Sequence, residues 1–318
     1  MNKIINKISI GLICRFLIPI SLILIFYRII IIIYKIINNN IKICVCTIGK
    51  NENLYILEFI EYYKSLKVDK IFLYDNNDIN GEKFEDKIGD YIRQGFVKIL
   101  NWRGKLTIQT KTINHCYKKN YKNYNWFLIF DLDEYLFINK EQNLKKFLNN
   151  KRFLNCQLIY FNELIHTDND KLYYENDSLK RRFPKTLKTY NHSAIKYIVR
   201  GNISNIYLGL HIGNRKLNNC DGFGGKMKRK KGKDDIYALQ PDYSNYYLDH
   251  YYSKSTEEFI KKINRGDACS NSIRKKMRRI KKYYNQNNFT RKKIEMIENG
   301  TKLDLSEYKI ILGYIKKN

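Results

Sequence analysis

Between residues 41 and 161 the chain alternates short apolar, β-branched runs with stretches whose apolar residues recur at helical spacing. ICVCT (43–47), KIFLY (70–74), FVKIL (96–100), NWFLIF (125–130) and CQLIYF (156–161) have the length and composition of buried strands. NLYILEFIEYYKSL puts Ile56, Phe59, Tyr63 and Leu66 at helical spacing, and further helices are predicted over Glu82–Arg93, around 109–120 and in NLKKFL. This alternation predicts an α/β fold on a parallel sheet with right-handed crossovers. Ligands of such sheets bind beyond the carboxyl ends of the strands. The residues that directly follow the apolar runs therefore carry the chemistry.

Those positions are polar. Lys50, Asn51 and Glu52 follow the first run, Asp75, Asn76, Asn77 and Asp78 the second, and D-L-D-E-Y (Asp131–Tyr135) the fourth. Two carboxylates one residue apart, just past a buried strand, can reach one point beyond the sheet. Mg²⁺ and Mn²⁺ take oxygen ligands, commonly one or two carboxylates plus substrate phosphates. In the second half, His211 and His250 stand near polar residues, each as a structural histidine or a ligand. Ser255 and Thr256 before Glu258 mark a helix start. Lys254, Lys262 and Arg265 flank or ride on that helix and form either a diphosphate cradle or a solvated basic face.

The chain carries 59 Lys+Arg against 31 Asp+Glu, a formal charge of +28 over 318 residues. Lysines are spread along its whole length, apart from the knot KMKRKKGK at 226–233. The abundance of Ile, Lys, Asn and Tyr matches A/T-rich coding, so the charge specifies no nucleic-acid partner and acts as a diffuse field. Seven cysteines, an odd number without a C-x-x-C, argue against a disulfide framework or a zinc ribbon. Residues 8–37 are apolar except for Arg15, Arg28 and Lys35, and no small-residue cleavage site follows. The sequence thus predicts a single-pass transmembrane anchor and stalk over 1–40, with a type II Golgi or ER location in a eukaryote. A globular domain over 41–269 and a basic helical tail over 270–318 complete the expected organisation.

Three blocks in order resemble family 92-type glycosyltransferases. They are K-N-E-N…F-L-Y-D-N-N (50–77), W-F-L-I-F-D-L-D-E-Y (126–135) and H-Y-Y-S-K-S-x-E-E-F-x-x-K-x-x-R-G (250–266), with R-R-F (181–183), K-Y-I-V-R (196–200) and the His211 segment between them. The likeness covers roughly 41–268, with departures at Tyr62-Tyr63, Leu158–Phe161 and Ile165-His166-Thr167. It implies a GT-A (Rossmann-like) nucleotide-sugar-binding domain that moves a sugar, galactose among the candidates, from a nucleotide-sugar donor. A UDP-sugar is favoured, with Mn²⁺ or Mg²⁺ as cofactor, inversion at the sugar carbon, and a glycan, glycoprotein or glycolipid as acceptor. Under the same resemblance Glu52, Asp75 and Asn76 sit near the nucleoside, and Asp131 and Asp133 bind metal and ribose–diphosphate. His250 completes the metal shell, and Lys254, Lys262 and Arg265 approach the diphosphate. An inverting transfer also needs a carboxylate base, for which Asp168 is preferred over Asp170 and Asp221. The competing classes are a metal-dependent nucleotidyl or phosphoryl transferase and a non-catalytic membrane-anchored binding protein. The first lacks a G-x-x-x-x-G-K-[ST] loop here.

Overall fold

The computed structural model describes residues 22–30, 41–139, 143–187, 195–229, 236–237, 243–265 and single positions between 278 and 299. The chain divides into two compact units, Met1–Ile41 and Lys42–Asn318. In the first, residues 22–30 form an exposed helix. Among the described residues no helix is long and apolar enough to cross a membrane. The expected single-pass membrane location is therefore overturned. The rest of the expected anchor lies outside the described residues.

The second unit begins with β1 (Ile43–Gly49), α1 (Ile56–Ser65), β2 (Lys70–Asp75), α2 (Glu85–Arg93), β3 (Val97–Asn101), α3 (Gln109–Asn120) and β4 (Trp126–Ile129). These match the predicted alternation within a few residues. Next come β5 (Glu134–Ile138), α4 (Leu144–Leu148), β6 (Leu158–His166), α5 (Leu179–Arg182), β7 (Thr186–Leu187) and β8 (Ile195–Arg200). The described elements continue with β9 (Asn219–Asp221), the hairpin strands β10 (Lys228–Arg229) and β11 (Ile236–Tyr237), β12 (Tyr246–His250) and α6 (Thr256–Asn264).

The main sheet has the order β3-β2-β1-β4-β8-β6-β12-β5, with β7 and β9 also paired to β6. Strands β3, β2, β1 and β4 are mutually parallel, as the alternation predicts. The parallel pattern stops there. Strand β8 lies antiparallel to both β4 and β6, and β12 runs parallel to β6 but antiparallel to β5. The short turn after β4 leads to β5, which lies at the far edge beside β12, and the place next to β4 is taken by the antiparallel β8.

Apolar side chains drive the assembly. Helix α1 buries Ile56, Phe59, Ile60 and Tyr63, a three–four spacing that forms one stripe. Helix α3 contributes Ile113, Cys116 and Tyr117 to a cluster with Cys44, Cys46, Phe72, Phe127 and Tyr197. Each such fully buried large apolar side chain contributes about 1.5–3 kcal/mol.

The cysteine expectation is also corrected. Cys46 of β1 is bonded to Cys116 of α3, and Cys156, just before β6, to Cys220 of β9. The partners stand 70 and 64 residues apart in sequence, yet their Cα atoms lie at 6.2 and 5.8 Å. Tertiary packing, which no local spacing encodes, brings them together. Replacing Cys156 and Cys220 by Ser is expected to lower stability to urea by about 2–5 kcal/mol, since a long closed loop regains its entropy in the unfolded chain. An unchanged urea midpoint would contradict the bond.

Candidate functional site

Strand β4 ends at Ile129, and Asp131-Leu132-Asp133-Glu134 turns the chain directly into β5. The turn is fixed from both ends. The Glu134 amide donates to the Asp131 carbonyl at 3.1 Å, and the Asp131 amide donates to Glu134 Oε2 at 2.8 Å. The Tyr63 hydroxyl of α1 donates to the Glu134 carbonyl at 2.8 Å. Leu132 packs against the end of β1, where a Cβ on Gly49 would lie 2.6 Å from Leu132 Cδ1. Glycine is thus required for the turn to approach β1.

Register brings three other strands to this turn. Ile129 pairs with Tyr197, which places the neighbouring Lys196 beside Asp131. Leu248 pairs with Glu163, and His250 with Glu134. The turn, the end of β1, His250 of β12, and Lys262 and Arg265 line a cleft of about 260 Å³, and Glu163 of β6 and Lys196 of β8 hold its lining residues from behind.

The site is a set of opposed buried charges. His250 Nδ1–H donates to Glu163 Oε2 at 2.7 Å, and its Nε2 faces Asp133 Oδ1 at 3.7 Å, beyond hydrogen-bond reach. Asp133 Oδ2 accepts from Lys262 Nζ at 2.6 Å, and Lys262 also donates to the Tyr252 carbonyl. Lys196 Nζ donates to Asp131 Oδ2 at 2.7 Å and lies 3.1 Å from Glu134 Oε1, while Gln109 Nε2 donates to Asp131 Oδ1 at 2.8 Å. Glu52 is clamped between Lys254, at 3.0 Å, and Arg265, whose guanidinium also donates to the Asn51 carbonyl. Lys254 takes a left-handed backbone, φ 54°, and its Nζ lies 3.7 Å from the Tyr55 ring centroid. For a residue with a side chain that conformation is strained.

Electrostatics follow from this pairing. Burial opposes ionisation of Asp133, but Lys262, then His250 and Lys254, hold it far below the usual carboxylate range. Burial likewise opposes Glu163, yet His250 and then Lys196 bring it down to about 2. His250 is raised: burial would lower it, and Glu163 and then Asp133 outweigh that. For Glu134 burial wins over Lys196 and pushes the carboxyl up to about 8. Lys196 is held above the usual lysine range by Asp131, Glu134 and Glu163 against the effect of burial.

Asp133, Glu134 and His250 offer ligand atoms that all lie within 4.8 Å of one another. These residues fit a divalent cation. His250 is locked by a carboxylate on one nitrogen and turned inward on the other, the usual outer support of a metal-ligating imidazole. Buried Glu134 Oε1 accepts no well-directed hydrogen bond but lies 3.1 Å from Lys196 Nζ, so a cation there would compete with that ammonium. A bound cation would have to displace the proton that Glu134 keeps near neutral pH.

The sequence-derived residues divide into groups. Glu52, Asn76, Asp131, Asp133, His250, Lys262, Arg265 and the exposed His211 line the cleft. Asp131 stands outside the three-ligand group, because Gln109 and Lys196 take its oxygens. Lys254 stands outside the cleft lining, donates to Glu52 and also acts on Asp133 through its charge. Asp75 lies beneath it, its Oδ2 on Arg103 at 2.7 Å and its Oδ1 on the Asn77 amide. Asp168 is buried away from the cleft lining. Its Oδ1 accepts from the Asp170 amide at 2.9 Å, and its Oδ2 lies 3.3 Å from Lys293 Nζ, which also reaches Asp170. Asp221 spends its Oδ1 on the Phe223 and Gly225 amides. Ser255 caps α6 through a reciprocal box with Glu258, as predicted.

Sequence reading missed Glu163, Lys196, Gln109 and Arg103. For Glu163 and Lys196 a signal existed: a single charge inside an apolar strand run, LIYFNELIH and IKYIVR. Gln109 and Arg103 carry no comparable mark.

A model of glycosyltransferase family 92 matches residues 39–304. The chain belongs to that family. The matched region runs past the boundary expected at 269. Similar proteins include a glycosyltransferase family 92 protein of Oryza sativa subsp. japonica, 29% identical over 109 residues, which are 34% of this chain and 18% of the relative. Another, from Arabidopsis thaliana, is 28% identical over 97 residues, 30% of this chain and 16% of the relative. The chain thus aligns with less than a fifth of either curated relative's length. Similar solved structures include S. aureus TarS 1–349 in complex with UDP, 15% identical over 50% of this chain and 47% of that chain, TM-score 0.31. A structure of S. aureus TarS covers 77% of this chain and 43% of its own at 15% identity, TM-score 0.35.

The depressed carboxylate of Glu163 sets an acid limit on the fold. A carboxylate lowered by folding stabilises above its ordinary range and loses that contribution as pH falls through its folded value. Urea stability is expected to fall as pH drops from the ordinary glutamate range through the lowered folded value of Glu163, at about 2. Glu163→Gln should flatten that drop; an equally steep loss in the variant would contradict the assignment. His250 works in the opposite sense: its contribution is full below the ordinary histidine range and is lost as pH rises past its raised value.

Proposed function

We propose that this chain transfers a sugar from a nucleotide-sugar donor, a UDP-sugar by preference, to a hydroxyl of a glycan, glycoprotein or glycolipid. The reading includes a GT-A type of nucleotide-sugar fold, inversion at the sugar carbon and one bound divalent cation. The observation that carries it is His250, oriented by Glu163 and turned toward Asp133 at the carboxyl ends of β4 and β12. Such an arrangement is costly to bury and serves no packing purpose. Asp133 and His250 would hold the cation, with Glu134 as the third ligand. When bound, the cation supplies positive charge opposite a diphosphate leaving group. Mn²⁺ is favoured over Mg²⁺, because a mixed oxygen and imidazole set suits it better.

The chain's own cations complete the donor end. Lys262 and Arg265 line the cleft and face the space where a diphosphate would develop charge, a preorganised stabilisation that needs no rearrangement during reaction. Lys254 sets their position through Glu52. Asp131, held by Gln109 and Lys196, is fixed at the cleft rim, where a ribose hydroxyl could donate to it. Asp168 has no role in this reading, because its oxygens face Asp170 and Lys293.

Donor hydrolysis against UDP-, GDP- and CMP-sugars, with and without Mn²⁺, tests the proposal. Mn²⁺-dependent hydrolysis of a UDP-sugar is expected; no activity with any donor across several acceptors would contradict it. Asp133→Ala should reduce the rate by about a hundredfold to a thousandfold, the cost of one preorganised electrostatic contact. His250→Ala should weaken Mn²⁺ affinity by about 10–100-fold and regain rate at high Mn²⁺, whereas Asp133→Ala should regain little. Wild-type behaviour of His250→Ala at limiting Mn²⁺ would make this histidine structural.

A further inference from the structure

A second cleft, of about 800 Å³, opens at the amino end of β6 and is lined by residues 152–156, 215–220 and 224–227 in part. It shares no lining residue with the donor cleft. Four cations border it: Arg152, Arg215, Lys216 and Lys226. Among its described lining residues there is no carboxylate, and the amides of Asn155 and Asn218 add polar groups. Lys226 is also the first residue of the basic knot at 226–233, a feature the sugar-transfer reading leaves unused.

The walls are rigid. The Cys156–Cys220 bond ties the two sides of the cleft. Gly224, at φ 86°, packs so tightly on the Arg152 carbonyl that a Cβ would stand 2.7 Å from it. The Arg152 guanidinium is held over the rings of Phe147, Phe153 and Tyr246, at 5.0, 4.7 and 4.8 Å from their centroids. Beside the cleft Phe223 is exposed, its ring 5.1 Å from that of Tyr246. With the Arg152 guanidinium packed into the wall, Arg215, Lys216 and Lys226 and the exposed aromatic face together suit a ligand with anionic groups on an apolar-faced ring. Guanidinium groups bind sulfate and carboxylate groups in a fork, and the ring face offers stacking area to a sugar.

We propose that this cleft is a binding site for an acidic oligosaccharide, separate from the donor site. The proposal concerns binding alone and stands independently of the sugar-transfer reading.

Fluorescence anisotropy with a labelled, sulfated heparin octasaccharide tests it on the full chain. Arg215→Glu with Lys216→Glu is compared with Lys87→Glu and Lys98→Glu, which make the same charge change on α2 and β3 at the far edge of the sheet. The cleft pair is expected to weaken binding at least ~10-fold, the size of one charge-assisted hydrogen bond. The remote pair should produce only the general loss expected from a screened field. Phe223→Ala, which leaves the net charge unchanged, should weaken the octasaccharide, and it keeps the test open should the double variant not fold. An uncharged maltooctaose should not bind. Equal losses in both charge pairs would reduce the effect to net charge and overturn the site, as would absence of binding. Equally tight binding of a single-stranded oligonucleotide of matched charge, with the same mutational pattern, would overturn the choice of ligand.

Discussion

The fold depends on charges that are buried in opposition. Glu52 is set against Lys254 and Arg265, Asp133 against Lys262 and His250, Glu163 against His250, and Asp131 against Lys196, which also approaches the carboxyl of Glu134. An isolated buried ion costs several kcal/mol even after relaxation, and deleting one partner of a buried pair costs about 3–5 kcal/mol because the other is left uncompensated. No member of this group is therefore free to move alone. The residues come from the ends of β1, β4, β6, β8 and β12 and from α6, so the site and the sheet edge are stabilised by one another. The same low-dielectric setting makes any charge that develops in the cleft respond strongly to the groups around it.

The departure from a purely parallel sheet is what assembles this group. Had β8 been absent beside β4, Lys196 would not reach Asp131 and Glu134. Had β12 not inserted between β6 and β5, His250 would meet neither Glu163 nor Asp133. The parallel half places the acidic turn at a strand end, and the mixed half supplies its cations and its imidazole. A carboxylate on one histidine nitrogen sets which nitrogen can face a cation. In this chain Glu163 sets that choice for His250.

The parallel half was legible because local pattern and tertiary role agree there: strands read as apolar runs, and helices as stripes. The apolar run that marks β6 stops at Phe161, because Asn162 and Glu163 are polar, whereas the strand continues to His166 with every residue buried. Glu163 was lost with that truncation. Strand β12, YYLDH, is short and half polar, and its pairing with β6 and β5 spans more than eighty residues, so no local signal marks it. Asp131, Asp133 and His250 were singled out from motif and resemblance together, and all three line the cleft. The disulfides depend on contacts across 64 and 70 residues, which cysteine counting cannot foresee. The apolar N-terminal run illustrates the converse: composition suggested a span, whereas among the described residues no helix is long and apolar enough to cross a membrane.

The central claim is that His250, aimed by Glu163, and Asp133 together hold a divalent cation. Pulsed electron paramagnetic resonance of the protein with Mn²⁺ tests this most directly, because a coordinated imidazole nitrogen imprints its nuclear coupling on the metal signal. The account predicts a nitrogen coupling in the wild type that disappears in His250→Ala and persists in His211→Ala. A signal without nitrogen coupling, or one unchanged by His250→Ala, would contradict it.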